Sequence, residues 1–270
     1  MSDPTERFDA KAVYGQAARA YEDASSEFWS YLSTRTVDRL GLSPGQRVLD
    51  VACGTGPAVI AAAERVGPSG RVVGLDYAEE MIAIARAKVE ERGLGNVELR
   101  VGDMTTLDEV DGAYDSVMCV LGIFFVDDMT GALRRLARQV RPGFGRIAVT
   151  VFGEQFFEPM REVFVGAVRL VAPHVEVVQP WRRTENEAVL RSIVEAAEPR
   201  DLTVFTDDDL RPLREPSDWW RLVTGSGLRQ TVETLGEKAA AEVRARCENH
   251  IVDSGITELA TRSRFAIATL

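Results

Sequence analysis

The sequence predicts a Rossmann-like, doubly wound α/β fold: a mostly parallel seven-stranded sheet with helices on both faces. Short β-rich apolar runs alternate with helix-length segments between residues 47 and 152, and strands joined by helical crossovers pair in parallel. Such an alternation implies a sheet covered by helices on both faces. A glycine turn, Asp50-Val51-Ala52-Cys53-Gly54-Thr55-Gly56, closes the first run and opens a helix.

Residues 10 to 40 carry Val13, Ala17, Ala20, Tyr21, Phe28, Tyr31 and Leu32 at helical spacing and stop at Gly41 and Pro44, which predicts two N-terminal helices. Strands follow at 47–52, 70–76, 97–101, 114–121 and 146–152, with helices at 58–66, 78–92 and 128–140 between them. Beyond Gly153 the alternation breaks down. Helices are expected over 154–172, 187–198 and about 231–249, a loop over 173–184 and strands at 202–205 and 265–270. The expected organisation is N-terminal helices covering a ligand (1–44), a nucleotide-binding core (45–152), and substrate-cap insertions with the last strands of the same domain (153–270).

A chain of 270 residues with 45% hydrophobic and 27% charged residues can build a full core without disulfides or a structural metal. The formal net charge is −10, with no basic block longer than the Arg134-Arg135 and Arg182-Arg183 doublets. Such a chain repels polyanions, which argues against nucleic acid as a partner. The three cysteines, Cys53, Cys119 and Cys247, are widely spaced and read as buried thiols in a reducing cytoplasm. The first residues show neither a basic region nor an apolar stretch, and no apolar run approaches 18 residues, so neither export nor membrane insertion is expected.

A glycine turn after the first strand lets backbone N–H groups at a helix start approach a polar ligand closely. A nicotinamide or flavin fingerprint would place a third glycine where Val59 stands, and Ala52 replaces the first glycine of the other register. Acidic residues sharpen the reading. Asp76 ends the second strand twenty residues past Gly56, where a carboxylate can accept hydrogen bonds from both hydroxyls of a ribose without a 2′-phosphate. Asp103, in Gly102-Asp103-Met104 after the third strand, is positioned to accept from an exocyclic amine such as that of adenine. In an open α/β sheet these loops converge on one crevice.

The segments VLDVACGTG, VVGLD, VGDM and YDSVMCVLGIFF, followed by LRRLARQVRPGFGRIAVTVF, resemble successive motifs of the class I methyltransferases, particularly the ubiquinone and menaquinone C-methyltransferases. The resemblance spans about residues 45 to 152. It implies S-adenosylmethionine as cofactor and S-adenosylhomocysteine as product. It further implies that the loop Ala52, Cys53, Gly54, Gly56 faces the methionyl part and Asp76 the ribose. Met81 would meet the adenine face, Asp103 the adenine amine, and Leu121-Gly122 the region near the sulfonium. Tyr14 and Tyr21 match a Y-x6-Y spacing from which the first tyrosine can reach the cofactor carboxylate. Tyr77 and Met104 flank these positions and complete the candidate set with Asp50, which either caps the turn or serves the cofactor site. Ala52 departs from the usual glycine by one methyl, a change read as tolerated.

Methyl transfer asks little of a protein beyond alignment of nucleophile, methyl and sulfur, which can supply about 7–11 kcal/mol, so no catalytic signature is required. His174 is a candidate general base or an exposed loop histidine, and His250 a residue favoured by a helix C-terminus. Trp181, Trp219, Trp220 and Phe124-Phe125 either line an aromatic acceptor pocket or pack the core. Arg182 and Arg183 read as a carboxylate site or a solvated pair. Asp207-Asp208-Asp209 reads as a helix N-cap ahead of Leu210, and no metal site is expected. The expected activity is methyl transfer to O, N or C of a small-molecule acceptor. The alternatives are a different reaction on the same cofactor, such as a cyclisation or decarboxylation, and a nicotinamide-dependent oxidoreductase.

Overall fold

A computed structural model of the chain describes residues 10–107 and 112–270, except for the side chains of several residues in the first half of the N-terminal helix. In chain order the elements are α1 (Ala10–Leu40), β1 (Arg47–Val51), α2 (Pro57–Val66), β2 (Arg71–Asp76), α3 (Glu79–Glu91), β3 (Val97–Val101), β4 (Ser116–Val120), α4 (Met129–Gln139) and β5 (Arg146–Phe152). The second half contributes α5 (Met160–Val171), α6 (Glu187–Glu195), β6 (Asp201–Asp207), β7 (Leu210–Pro212), α7 (Ser217–Thr224), α8 (Arg229–Ser254), β8 (Glu258–Ala260) and β9 (Ser263–Thr269). Seven strands form one sheet in the order β3-β2-β1-β4-β5-β9-β6. β1 to β5 run parallel, while β9 lies antiparallel to both β5 and β6.

The strand order turns at β1, which pairs with β2 on one side and β4 on the other. That switch point opens a crevice at the carboxyl ends of the two diverging halves. Successive strand residues point to opposite faces. Val48, Val72, Met118 and Ala148 therefore join one core with α2, and Leu49, Val73, Val117 and Val149 join the other. Opposite Asp50 in the β1–β2 register stands Gly74, where a Cβ would come within 2.7 Å of Leu99 Cδ2 and 2.8 Å of Val59 Cγ2. Its missing side chain lets α2 settle directly on the sheet.

Several expectations need correction. The N-terminal segment is one 31-residue helix rather than two, since neither glycine nor proline interrupts it between Gln16 and Leu40. The helix expected over 154–172 begins only at Met160, because Gln155 and Phe157 have positive φ (68° and 65°) and Pro159 disfavours helical backbone at the residue before it. The helix expected over 187–198 ends at Glu195, and Glu198, just before Pro199, is left-handed (φ 51°). α8 is longer than read, Arg229–Ser254, with a non-helical kink at Gly236. The antiparallel β7–β8 pairing has no local signal in the sequence, because each strand is three residues long and α7 and α8 lie between them.

The run Asp207–Asp209 does not cap a helix, for Leu210 is a strand residue. Asp207 accepts from Arg35 and Arg39, at 2.9 and 2.6 Å, Asp209 accepts from the Tyr31 hydroxyl at 2.7 Å, and Asp208 pairs with Arg262. Arg39 also stacks over Phe265 at 4.2 Å. These contacts tie the second half of α1 to the antiparallel side of the sheet, so that Trp29 is held at the crevice.

Candidate functional site

The loop after β1 is built from backbone. Cys53 N–H donates to Leu75 O and Gly56 N–H to Cys53 O, both at 3.0 Å. Gly54 and Gly56 are left-handed (φ 55° and 84°), and Gly56 is the N-cap of α2. A Cβ on Gly54 would meet nothing within 4 Å, so the loop presents open space there, shaped for a ligand. Ala52 (φ 53°) and Leu121 (φ 58°) occupy the same strained region without being glycine. Such strain, on the order of 1–2 kcal/mol per residue, clusters at functional sites. Here it falls at the ends of β1 and β4, the two strands of the switch point.

Asp76 braces this loop. Its Oδ2 accepts from Gly54 N–H and its Oδ1 from Ala78 N–H, both at 2.9 Å. Burial raises its carboxyl above the ordinary value, and the N–H bonds from Ala78, Gly54 and Tyr77 oppose that rise. Asp50 lies beneath the loop, fully buried, with neither carboxylate oxygen hydrogen-bonded. Burial, and after it the charge of Asp76, push its carboxyl well above the ordinary range. An orphaned buried carboxyl next to a ligand-shaped loop fits a site that receives a cationic group.

Two cavities meet over the loop. One, enclosing about 730 Å³ with its mouth, is walled by Trp29, Phe124, Phe125, Phe152, Phe156, Phe157 and Trp181 and floored by Ala52, Gly54, Met81, Leu121 and Gly122. The other, a wider cleft of about 1220 Å³, runs over Gly102, Asp103, Met104, Thr105, Asp127, Asp128 and Arg135. Ala52, Asp76, Tyr77, Gly122 and Phe125 line both. Asp103 Oδ1 accepts from the Thr105 N–H and hydroxyl at 2.7 and 2.8 Å, which fixes the rim of the cleft. A Cβ on Gly122 would lie 2.5 Å from Ala52 Cβ and 3.1 Å from Cys119 Sγ. Gly122→Val is therefore expected to close the passage between the cavities and to destabilise the chain by about 1–3 kcal/mol, checked by thermal melting and by titration with S-adenosylhomocysteine.

Most of the expected residues come together. Ala52, Gly54, Asp76, Tyr77, Met81, Leu121 and Gly122 line the aromatic cavity, and Gly102, Asp103 and Met104 the cleft. Met81 borders the aromatic side, where adenine-side placement was expected. Asp50, Cys53 and Gly56 shape the loop from below without lining either cavity. Tyr14 and Tyr21 fall on α1, but their side chains lie outside the described residues. His174 is exposed after α5 and belongs to neither cavity. Trp181 is a wall, whereas Trp219 is core, edge-on to Phe157 at 5.7 Å. Arg183 lies exposed at the surface and lines neither cavity, and it donates to the carbonyls of Phe124, Val126 and Asp127, which pins the segment after β4. Phe152, Phe156 and Ser226-Gly227 went unread. Pro159 was the available signal that Phe156 and Phe157 leave the helix.

A doubly wound sheet, a braced glycine loop at its switch point and a strand-end carboxylate beside it define a nucleoside-binding α/β protein. Residues 48–143 match a family model described as a methyltransferase domain. The chain is 36% identical over 168 residues to a nocamycin O-methyltransferase of Saccharothrix syringae, covering 62% of this chain and 59% of that protein. It is 37% identical over 150 residues to the aklanonic acid methyltransferase DauC of Streptomyces sp. (strain C5), covering 56% of this chain and 68% of the relative. It is 42% identical over 135 residues to a demethylmenaquinone methyltransferase of Geobacillus kaustophilus, covering 50% and 57%. Among solved structures, the YcgJ protein of Bacillus subtilis shares the fold with a TM-score of 0.60 at 17% identity, over 88% of this chain and 98% of that one. The chain belongs to the class I S-adenosylmethionine-dependent methyltransferases, and it spans about three-fifths of the length of the curated relatives it matches.

Proposed function

We propose that the chain transfers a methyl group from S-adenosylmethionine to an O, N or C atom of a small-molecule acceptor. The carrying observation is that the cleft and the aromatic cavity share one floor at Ala52, Asp76 and Gly122. A nucleoside held along the cleft would thus end where the acceptor cavity begins. In this reading Asp103 takes the adenine amine and Asp76 the ribose hydroxyls, with Tyr77 and Met104 beside them. The Gly54 loop holds the methionyl part, Leu121 and Gly122 border the sulfur, and α1 with residues 153–270 covers both ligands. Asp50 supplies a buried negative partner for the positive charge. When bound, S-adenosylmethionine supplies an electrophilic methyl, and the chain aligns the acceptor and excludes water from it.

A net charge of −10 supports a small molecule over nucleic acid. Among the described residues no helix is long and apolar enough to cross a membrane. The test is calorimetric titration with S-adenosylhomocysteine against NADH, followed by turnover in the presence of an acceptor. Binding of the homocysteine compound, with its accumulation during turnover, supports the reading. Turnover without it favours a cyclisation or decarboxylation, and preferential NADH binding an oxidoreductase.

A further inference from the structure

We propose that the aromatic cavity takes a planar, conjugated acceptor whose reacting group ionises by itself, a phenolic or enolic oxygen or the carbon between two carbonyls, with no base supplied by the described wall residues. The inference rests on the methyl-transfer reading and deepens it.

The shape of the walls comes from ring packing. Phe152 and Phe156 stack with centroids 3.8 Å apart, Trp181 stands edge-on to Phe152 at 6.3 Å, and Phe125 edge-on to Phe124 at 4.6 Å. A flat conjugated molecule offered these faces and edges gains offset-stacked and T-shaped contacts that an aliphatic chain of equal area does not. Polar chemistry is almost absent. Among the described lining residues the ionisable ones are Asp76 and Tyr77, and both also line the cofactor cleft. Asp76 is engaged by Gly54 and Ala78 N–H groups. The Ser226 hydroxyl donates to Val223 O at 3.2 Å and accepts from Leu228 N–H at 3.4 Å.

This composition selects among acceptors. A phosphate head would be stripped of water against described walls that hold no cationic side chain, which is costly. An aliphatic alcohol needs a positioned base, worth about 10²–10⁴-fold in rate, and no described wall residue offers one. A phenol or enol gives its proton to water instead, and its delocalised anion meets the positive charge of the methyl donor. In the transfer the bond from oxygen or carbon to methyl forms and the methyl–sulfur bond breaks. Its electron pair stays on sulfur, so that anion and sulfonium become two neutral products.

The test uses the full chain saturated with S-adenosylhomocysteine. Calorimetry with 2-hydroxy-1,4-naphthoquinone and 2-naphthol should show binding, and glycerol 3-phosphate should show none. Trp181→Leu and Phe156→Leu should each weaken the planar probes by about tenfold while S-adenosylhomocysteine still binds, which confirms that the variants are folded. With S-adenosylmethionine, the acid limb of kcat/KM should move to higher pH from the acidic naphthoquinone to the weakly acidic naphthol. Tyr14→Phe, Tyr21→Phe and Tyr77→Phe should leave the position of that limb where it is, whatever they do to the rate. Glycerol 3-phosphate binding as tightly as the planar probes, or no planar binding to protein that holds S-adenosylhomocysteine, overturns the inference and leaves methyl transfer standing. So does one limb shared by both acceptors. Failure to bind S-adenosylhomocysteine sinks both.

Discussion

Asp76→Ala is expected to weaken S-adenosylhomocysteine binding by about a hundredfold or more. The carboxylate serves two parties: it accepts Gly54 and Ala78 N–H groups from the loop, and in the proposed reading it also accepts the ribose hydroxyls. Hydrogen bonds to a charged group contribute about 1.5–3 kcal/mol each, so loss of the ribose pair alone corresponds to that factor. Alanine also leaves two loop N–H groups without their acceptor, and the turn that holds Gly54 in its left-handed conformation loses its brace. Asp76→Asn keeps one acceptor oxygen and should recover only part of the affinity, because its amide turns a donor toward donors. Burial raises the Asp76 carboxyl above the ordinary value. Wild-type affinity should therefore fall as pH drops toward that raised value, before ordinary carboxylates protonate. Calorimetry at neutral and mildly acidic pH measures both effects, and unchanged affinity in the alanine variant would remove Asp76 from the site.

The parallel half of the molecule was legible because every local signal agreed there. β-branched runs, a glycine turn and strand-end aspartates lie at spacings that only one topology satisfies, and the strands from Arg47 to Phe152 fall within two residues of expectation. The acceptor side was legible only in part, since its walls are assembled from distant segments. Trp29 comes from α1, Phe124 from the turn after β4, Phe156 from an irregular loop and Trp181 from a short 3-10 turn. Nothing local distinguishes a buried phenylalanine that lines a cavity from one that fills a core. Trp181 and Trp219 show this: they read alike in sequence, yet one is a wall and the other is packed away against Phe157. The aspartate run at 207–209 misled for the same reason. Its partners are distant, Tyr31, Arg35 and Arg39 about 170 residues earlier and Arg262 54 residues later, and act only once the chain has folded.

Asp50→Asn should change the ligand-free and ligand-bound proteins in opposite directions. In the free chain, burial and the charge of Asp76 hold the Asp50 carboxyl well above its unfolded value. An acid whose folded pKa is raised makes the folded state bind protons more tightly than the unfolded one. Its contribution to stability is therefore greatest below the ordinary carboxylate range and declines as pH rises toward the folded value. Asparagine removes that decline, so the ligand-free variant should melt higher than wild type at the alkaline end, by roughly 2–4 °C for each kcal/mol recovered. Asp76, whose carboxyl is raised by burial too, keeps a residual slope in the variant. In the proposed reading a cationic ligand above the loop favours the ionised form of Asp50, so binding of S-adenosylmethionine to wild type should release protons. That release appears as a binding heat that varies with the ionisation enthalpy of the buffer, and it should shrink in Asp50→Asn together with affinity. The neutral product S-adenosylhomocysteine, which lacks the sulfonium charge, should lose less. A carboxylate kept under a ligand loop with both oxygens unsatisfied lowers the stability of the free fold, and recognition of a positive charge is what offsets it. If the variant binds S-adenosylmethionine as tightly as wild type and its melting follows pH unchanged, Asp50 is only a turn residue.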